Sequence, residues 1–116
     1  MIKRYIEIKH SFEGFHAYKD APDEVSFLRQ RHRHMFHVTA VVETTHNDRE
    51  LEFFIEQRFL KSLFSNTQEC NNKSCEMICE DVVEEMNRRY NSKRYLRIKV
   101  SEDEENAGIV EYIPEL

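Results

Sequence analysis

Three histidines have a spacing suited to metal chemistry. His32 and His34 stand two apart in the run Arg31-His32-Arg33-His34-Met35-Phe36, and His16 closes an earlier segment of alternating character. On a strand, residues two apart project from one face, so both rings of the pair point the same way. If the segment ending at His16 pairs with the one starting at His32, as a hairpin around residues 17–31, the third ring arrives beside them. Three neutral imidazoles are a common way to hold a catalytic zinc, with the fourth position left for water or substrate. The expectation is a divalent metal, by default Zn2+, on His16, His32 and His34. Spacing alone leaves a plainer alternative open, because an H-x-H pair arises by chance and the chain has six histidines. His37 falls on the opposite strand face and His46 in a turn. His10 lies mid-strand, where a core or interface role fits better than ligation.

The cysteines make a weaker pattern. Cys70, Cys75 and Cys79 are an odd set, which argues against a disulfide framework. Cys75 and Cys79 are four apart on a predicted helix, but adding Cys70 gives no zinc spacing and no second pair closes a four-ligand site. They read as buried helix cysteines. The charge balance, 17 basic against 22 acidic residues and a net charge of -5, lacks the basic surface that phosphate backbones require, so nucleic acid is not the expected ligand. Arg29, Arg31 and Arg33 form the one local cationic cluster, either the solvated side of a strand or a guard for an anionic substrate. No apolar run has the length of a membrane span, and Met1-Ile2-Lys3-Arg4 leads directly into a strand pattern without a signal peptide, so no membrane association and a cytoplasmic location are expected.

The elements that must position these residues follow from periodicity. At 116 residues the chain is read as one domain, residues 1–116. Residues 2–12 alternate, with Ile2, Ile6, Ile8, His10 and Phe12 on one face of a half-buried strand. Lys19 to Glu24 is polar and contains Pro22, so it reads as a loop. A second strand runs from about His32 to Thr45, with His32, His34, Phe36, Val38, Ala40 and Val42 on one face. Residues 52–64 carry Phe53, Ile55, Phe59, Leu60, Leu63 and Phe64 at helical spacing. Asn66 to Lys73 reads as a second polar loop. Ser74 is a helix N-cap, with Glu76 in the first turn and Ile78, Val82, Val83 and Met86 as the buried stripe. Asn87 to Lys93 breaks that pattern. Leu96, Ile98 and Val100 alternate in a third strand, and residues 109–113 form a fourth. The order β-β-α-α-β-β predicts an α+β fold, an antiparallel sheet with both helices on one face.

Several segments resemble a known family. Phe12-Glu13-Gly14-Phe15-His16 resembles the F-x-A-A-H segment of the 6-pyruvoyl-tetrahydropterin synthase family, which includes the 6-carboxytetrahydropterin synthases of queuosine and deazapurine biosynthesis. His32-Arg33-His34-Met35-Phe36 is similar to its H-G-H-N-Y, and Leu51-Glu52-Phe53 to its M-D-F before the first helix. Asn72-Lys73-Ser74-Cys75-Glu76-Met77-Ile78 resembles N-P-T-S/A-E-N-I/L, and Val100-Ser101-Glu102 with Ala107-Gly108 resembles V-x-E-T-x-x-A. The segments stand in the family's order and span nearly the whole chain. The resemblance, as a divergent member, implies the tunnelling fold, in which subunits join their sheets into a barrel as a trimer or a hexamer of stacked trimers. It also implies active sites at subunit interfaces.

The resemblance further implies zinc on His16, His32 and His34, and a small pterin or deazapurine-like ligand whose amino-pyrimidine edge Glu102 anchors. A carboxylate suits that edge because it accepts two hydrogen bonds from adjacent N–H groups. The implied activity is a carbon–oxygen or carbon–carbon lyase acting on dihydroneopterin triphosphate or a related pterin. The catalytic parts do not all match. Leu28 stands four before His32, where the family has its cysteine base, and Ser65 to Lys73 contains no histidine for the aspartate–histidine pair. Leucine cannot exchange protons. Glu69 and Cys70 occupy the shortened loop and are the substitute catalytic candidates; Asp23 and Glu24 lie in the loop before the second histidine. The alternative is a homologue that keeps the metal and the ring pocket and has lost the synthase reaction.

Overall fold

The computed structural model describes residues 1–115. Strand β1 (Arg4–His16) and strand β2 (His32–Thr44) form a long antiparallel hairpin, followed by helix α1 (Phe53–Ser62), strand β3 (Thr67–Glu69), helix α2 (Cys75–Tyr90), strand β4 (Leu96–Glu102) and strand β5 (Asn106–Tyr112). The sheet order is β3-β1-β2-β4-β5, antiparallel except where β3 runs parallel to β1. This is the α+β architecture that the periodicity predicts, with one strand more.

Alternation decides which face is buried. Ile8, Phe12, Phe36, Val38, Ala40, Val42, Leu96, Ile98 and Val100 share one sheet face and are buried against Leu60 of α1 and Ile78, Cys79, Val82 and Met86 of α2. Burying each of the larger apolar side chains contributes about 1.5–3 kcal/mol, enough for two short helices to fix the sheet. The intervening positions, Tyr5, Glu7, Lys9 and Ser11 among them, face the other way and are exposed. A buried clasp joins the helices: Arg89 donates two hydrogen bonds to Glu56, at 2.9 and 2.8 Å, and the Tyr90 hydroxyl donates a third.

Three local expectations change. The stretch 66–73 is not wholly loop, because Thr67–Glu69 pairs with Glu13–Phe15 as β3. Backbone bonds hold it there, continuing as Cys70 N–H to Phe15 O and Ala17 N–H to Asn71 O, both 2.8 Å. The loop before β2 contains a 3-10 segment, Asp23–Arg29. Helix α2 runs to Tyr90 rather than stopping near Asn87, because the buried Tyr90 ring and its bond to Glu56 keep the last turn wound. Asn91 then ends it with φ of 58°, a left-handed cap that asparagine tolerates.

Candidate functional site

The hairpin register brings the three histidines together. His16 at the end of β1 lies opposite His32 at the start of β2, and Gly14 lies opposite His34. All three rings stand on the core face, with centroids 4.6, 4.9 and 5.2 Å apart. One ring nitrogen from each lies within 4.8 Å of the others, and among the described residues this is the one group of three or more candidate metal donors so placed. Below them, Phe36 meets the His16 and His34 rings edge-on, with centroids 5.3 and 5.7 Å away. Gly14 makes that support fit: a Cβ there would lie 2.5 Å from Phe36 Cδ2.

Hydrogen bonds assign the nitrogens. Nδ1 of His16 bonds the Lys73 carbonyl at 2.9 Å, Nδ1 of His32 the Gln30 carbonyl at 2.8 Å, and Nδ1 of His34 bonds Asp103 Oδ2 at 2.7 Å. Carbonyls and carboxylates only accept, so each Nδ1 donates, and in the neutral ring that leaves Nε2 as the nitrogen with the free lone pair. The Nε2 atoms of His16 and His34 are buried without a hydrogen-bond partner. What approaches them is another acceptor. Glu102 Oε1 lies 3.4 Å from His16 Nε2, and Oε2 lies 3.3 Å from His34 Nε2. Lone pairs facing a carboxylate repel one another unless a cation sits among them. The donor set therefore fits a divalent ion of the zinc type.

Outer partners stiffen the set. Asp103 accepts from the Met35 backbone N–H at 2.9 Å as well as from His34, and the His34 bond, with the Met35 bond behind it, holds its carboxyl below the usual aspartate range. Asp103 has φ of 53° just after β4, which turns its side chain back toward β2. Nothing in the acidic run Glu102 to Glu105 announces this role, which depends on the β2–β4 pairing.

Glu102 ends β4 opposite Phe36, on the histidine face. It borders a cavity of about 540 Å³ whose walls include His16, His32, Leu28, Cys75, Glu76 and Met77. Cys75, expected to be a plain buried helix cysteine, is buried and yet reaches the site: its thiol donates to Glu102 Oε1 at 3.6 Å. Burial first, and the Glu102 charge second, push that thiol up to about 12, so it is a hydrogen-bond donor rather than a thiolate.

The substitute catalytic candidates are not brought there. Glu69 pairs in register with Phe15, on the row facing away from the histidines, where its carboxylate accepts from Arg31 at 2.9 Å and from the Asn71 N–H at 3.2 Å. Cys70 is buried in a different cavity, about 310 Å³, beside Leu63, Phe64 and Ile78, and burial raises its thiol pKa. Asp23 is taken by Arg29 at 2.7 Å, and Glu24 is exposed. The remaining histidines stand apart as expected. His10 stacks on Phe12 and Phe64, His37 bonds Ser11 on the outer face, and His46 accepts from the Asp48 N–H in its turn.

No family model and no curated protein matches this sequence. Among solved structures, the chain is similar to the 6-pyruvoyl tetrahydropterin synthase of Plasmodium falciparum. The TM-score is 0.69 over 96% of this chain and 99% of that one, at 16% identity. The chain shares that protein's fold. At this identity the likeness speaks for the architecture, and the site speaks through its own residues. Among the described residues no helix is long and apolar enough to cross a membrane.

Proposed function

We propose that this chain holds a divalent metal, zinc by default, on the Nε2 atoms of His16, His32 and His34, and binds a pterin- or deazapurine-type ring beside it through Glu102. The observation that carries this reading is the convergence of bare imidazole nitrogens on a carboxylate at the wall of a cavity. A cavity of about 540 Å³ is within the range that takes small cofactor-like ligands. Ala17, Leu28 and Met77 offer a flat ring apolar contact, and Glu102 offers adjacent N–H groups two acceptor atoms. A metal bound there supplies a Lewis acid toward a hydroxyl or carbonyl of the ligand. The similarity to a tetrahydropterin synthase supports the choice of ring.

Turnover of the synthase type, a carbon–oxygen or carbon–carbon lyase reaction, has less support. Leu28 occupies the cavity wall, Glu69 is engaged by Arg31, and Cys70 lies in another cavity. This favours the second reading, a metal- and ring-binding homologue without the ordinary synthase reaction. Replacing Glu102 by Gln tests the ring site. Neopterin affinity, read by its fluorescence, is expected to fall about tenfold or more, since a charge-assisted double hydrogen bond is lost. Zinc content is expected to stay level. Unchanged neopterin affinity in Glu102→Gln contradicts the assignment.

A further inference from the structure

The chain enters α2 through Lys73-Ser74-Cys75, and this short segment touches both halves of the site. The Lys73 carbonyl accepts from His16 Nδ1 at 2.9 Å, and the Cys75 thiol donates to Glu102 Oε1 at 3.6 Å. Local bonds fix the segment on either side. Lys73 N–H donates to the Cys70 carbonyl at 3.0 Å, and the Ser74 hydroxyl caps the helix by accepting from the Met77 N–H at 3.1 Å. One turn further on, the Cys79 thiol donates to the Gly108 carbonyl at 3.4 Å, which ties the start of the helix to β5. Gly108 allows the close approach, since a Cβ there would lie 2.8 Å from the Glu76 backbone nitrogen. The first turn of α2 is thereby pressed onto the sheet, and Cys75 is buried where its sulfur meets the last residue of β4.

We infer that Cys75 is a positioning residue for the ring site, its S–H holding the Glu102 carboxylate in the orientation that receives the ring. The inference rests on the ring-binding reading above and adds the residue that orients its anchor. A glutamate side chain at a strand end has several rotatable bonds, and holding it before the ligand arrives lowers the cost of ordering it on binding. The His16 and His34 Nε2 atoms that Glu102 also faces are acceptors in the neutral rings and offer it no proton. The thiol does. A carboxylate has about four lone-pair sites, so one bond from Cys75 leaves both oxygens able to accept from ring N–H groups.

A double-mutant cycle of Cys75 with Glu102 tests this, with neopterin affinity of the zinc-loaded chain read by fluorescence. Cys75→Ala is expected to weaken neopterin about threefold or more, the loss of about one hydrogen bond. In a Glu102→Ala background the same change is expected to move affinity by about twofold or less, because the group it orients is gone. Cys75→Ser keeps a donor and is expected to bind within about twofold of wild type. Cys75→Val, close in volume and without a donor, takes the place of the alanine variant if circular dichroism shows that variant unfolded. Wild-type affinity in Cys75→Ala, beside a loss in Glu102→Ala, overturns the inference and leaves the ring-binding reading intact. An equal loss in both backgrounds assigns Cys75 to packing and overturns it too, as does a serine variant as weak as the alanine one. Neopterin affinity unchanged in Glu102→Ala overturns the ring-binding reading and this inference together.

Discussion

At the residue scale, the site is defined by which nitrogen of each histidine is already occupied. The Nδ1 bonds to Lys73, Gln30 and Asp103 fix tautomer and ring angle before any metal arrives, and outer contacts of this kind raise ligand basicity. Of the three acceptors only Asp103 is a side chain, so it is the one that mutation can remove. Asp103→Asn keeps an acceptor, suits the left-handed backbone, and loses the charge. Zinc affinity, measured by competition with a chelator, is expected to fall about tenfold with no change in circular dichroism. An affinity equal to wild type contradicts a supporting role for Asp103. Strand alternation puts His16, His32, His34 and Glu102 on the core face, while the metal role read for the histidines came from spacing and resemblance and the ring role of Glu102 from resemblance. Asp103 was hidden, since its role depends on a backbone turn and on a strand far away in the chain. Glu69 and Cys70 were placed by loop position alone, and the pairing of β3 with β1 carries them elsewhere.

At the element scale, the sheet presents the histidines and the helices hold the sheet. The long strands and both helices were readable because their apolar periods are unbroken. Strand β3 was not, being three residues held by backbone bonds with no apolar alternation. The last turn of α2 was obscured because its stabilising contact is tertiary, through Tyr90 and Glu56. Burial opposes the Glu56 charge, and the bonds from Arg89 and Tyr90 more than offset it, so its carboxyl titrates below the usual range. A depressed carboxylate contributes stability that is present above its unfolded pKa and is lost as pH falls through the folded one. Glu56→Gln is expected to cost about 2–3 kcal/mol near neutrality, toward the lower end for a buried pair because Arg89 is partly exposed. Urea unfolding checks both parts: the gap to wild type should close in acid below the folded pKa. A gap independent of pH contradicts the ionic clasp.

At the scale of the whole molecule, β3 and β5 leave two open sheet edges, and the cavity lies at the end of the sheet where β1, β2 and β4 converge. Closing such edges against other copies would remove the unpaired backbone groups they expose. The proposed assembly is a homo-oligomer, a trimer or a hexamer, and sedimentation equilibrium should give three or six copies; a monomer at micromolar concentration contradicts it. The central claim concerns the metal, and elemental analysis of the purified chain beside His32→Ala addresses it most directly. His32 is the right position to change, because it is half-exposed and its loss leaves the Phe36 support of the other two rings in place. About one zinc, or another divalent ion, per chain is expected in wild type, falling to a small fraction in the variant. A substoichiometric metal content that His32→Ala leaves unchanged would contradict the account.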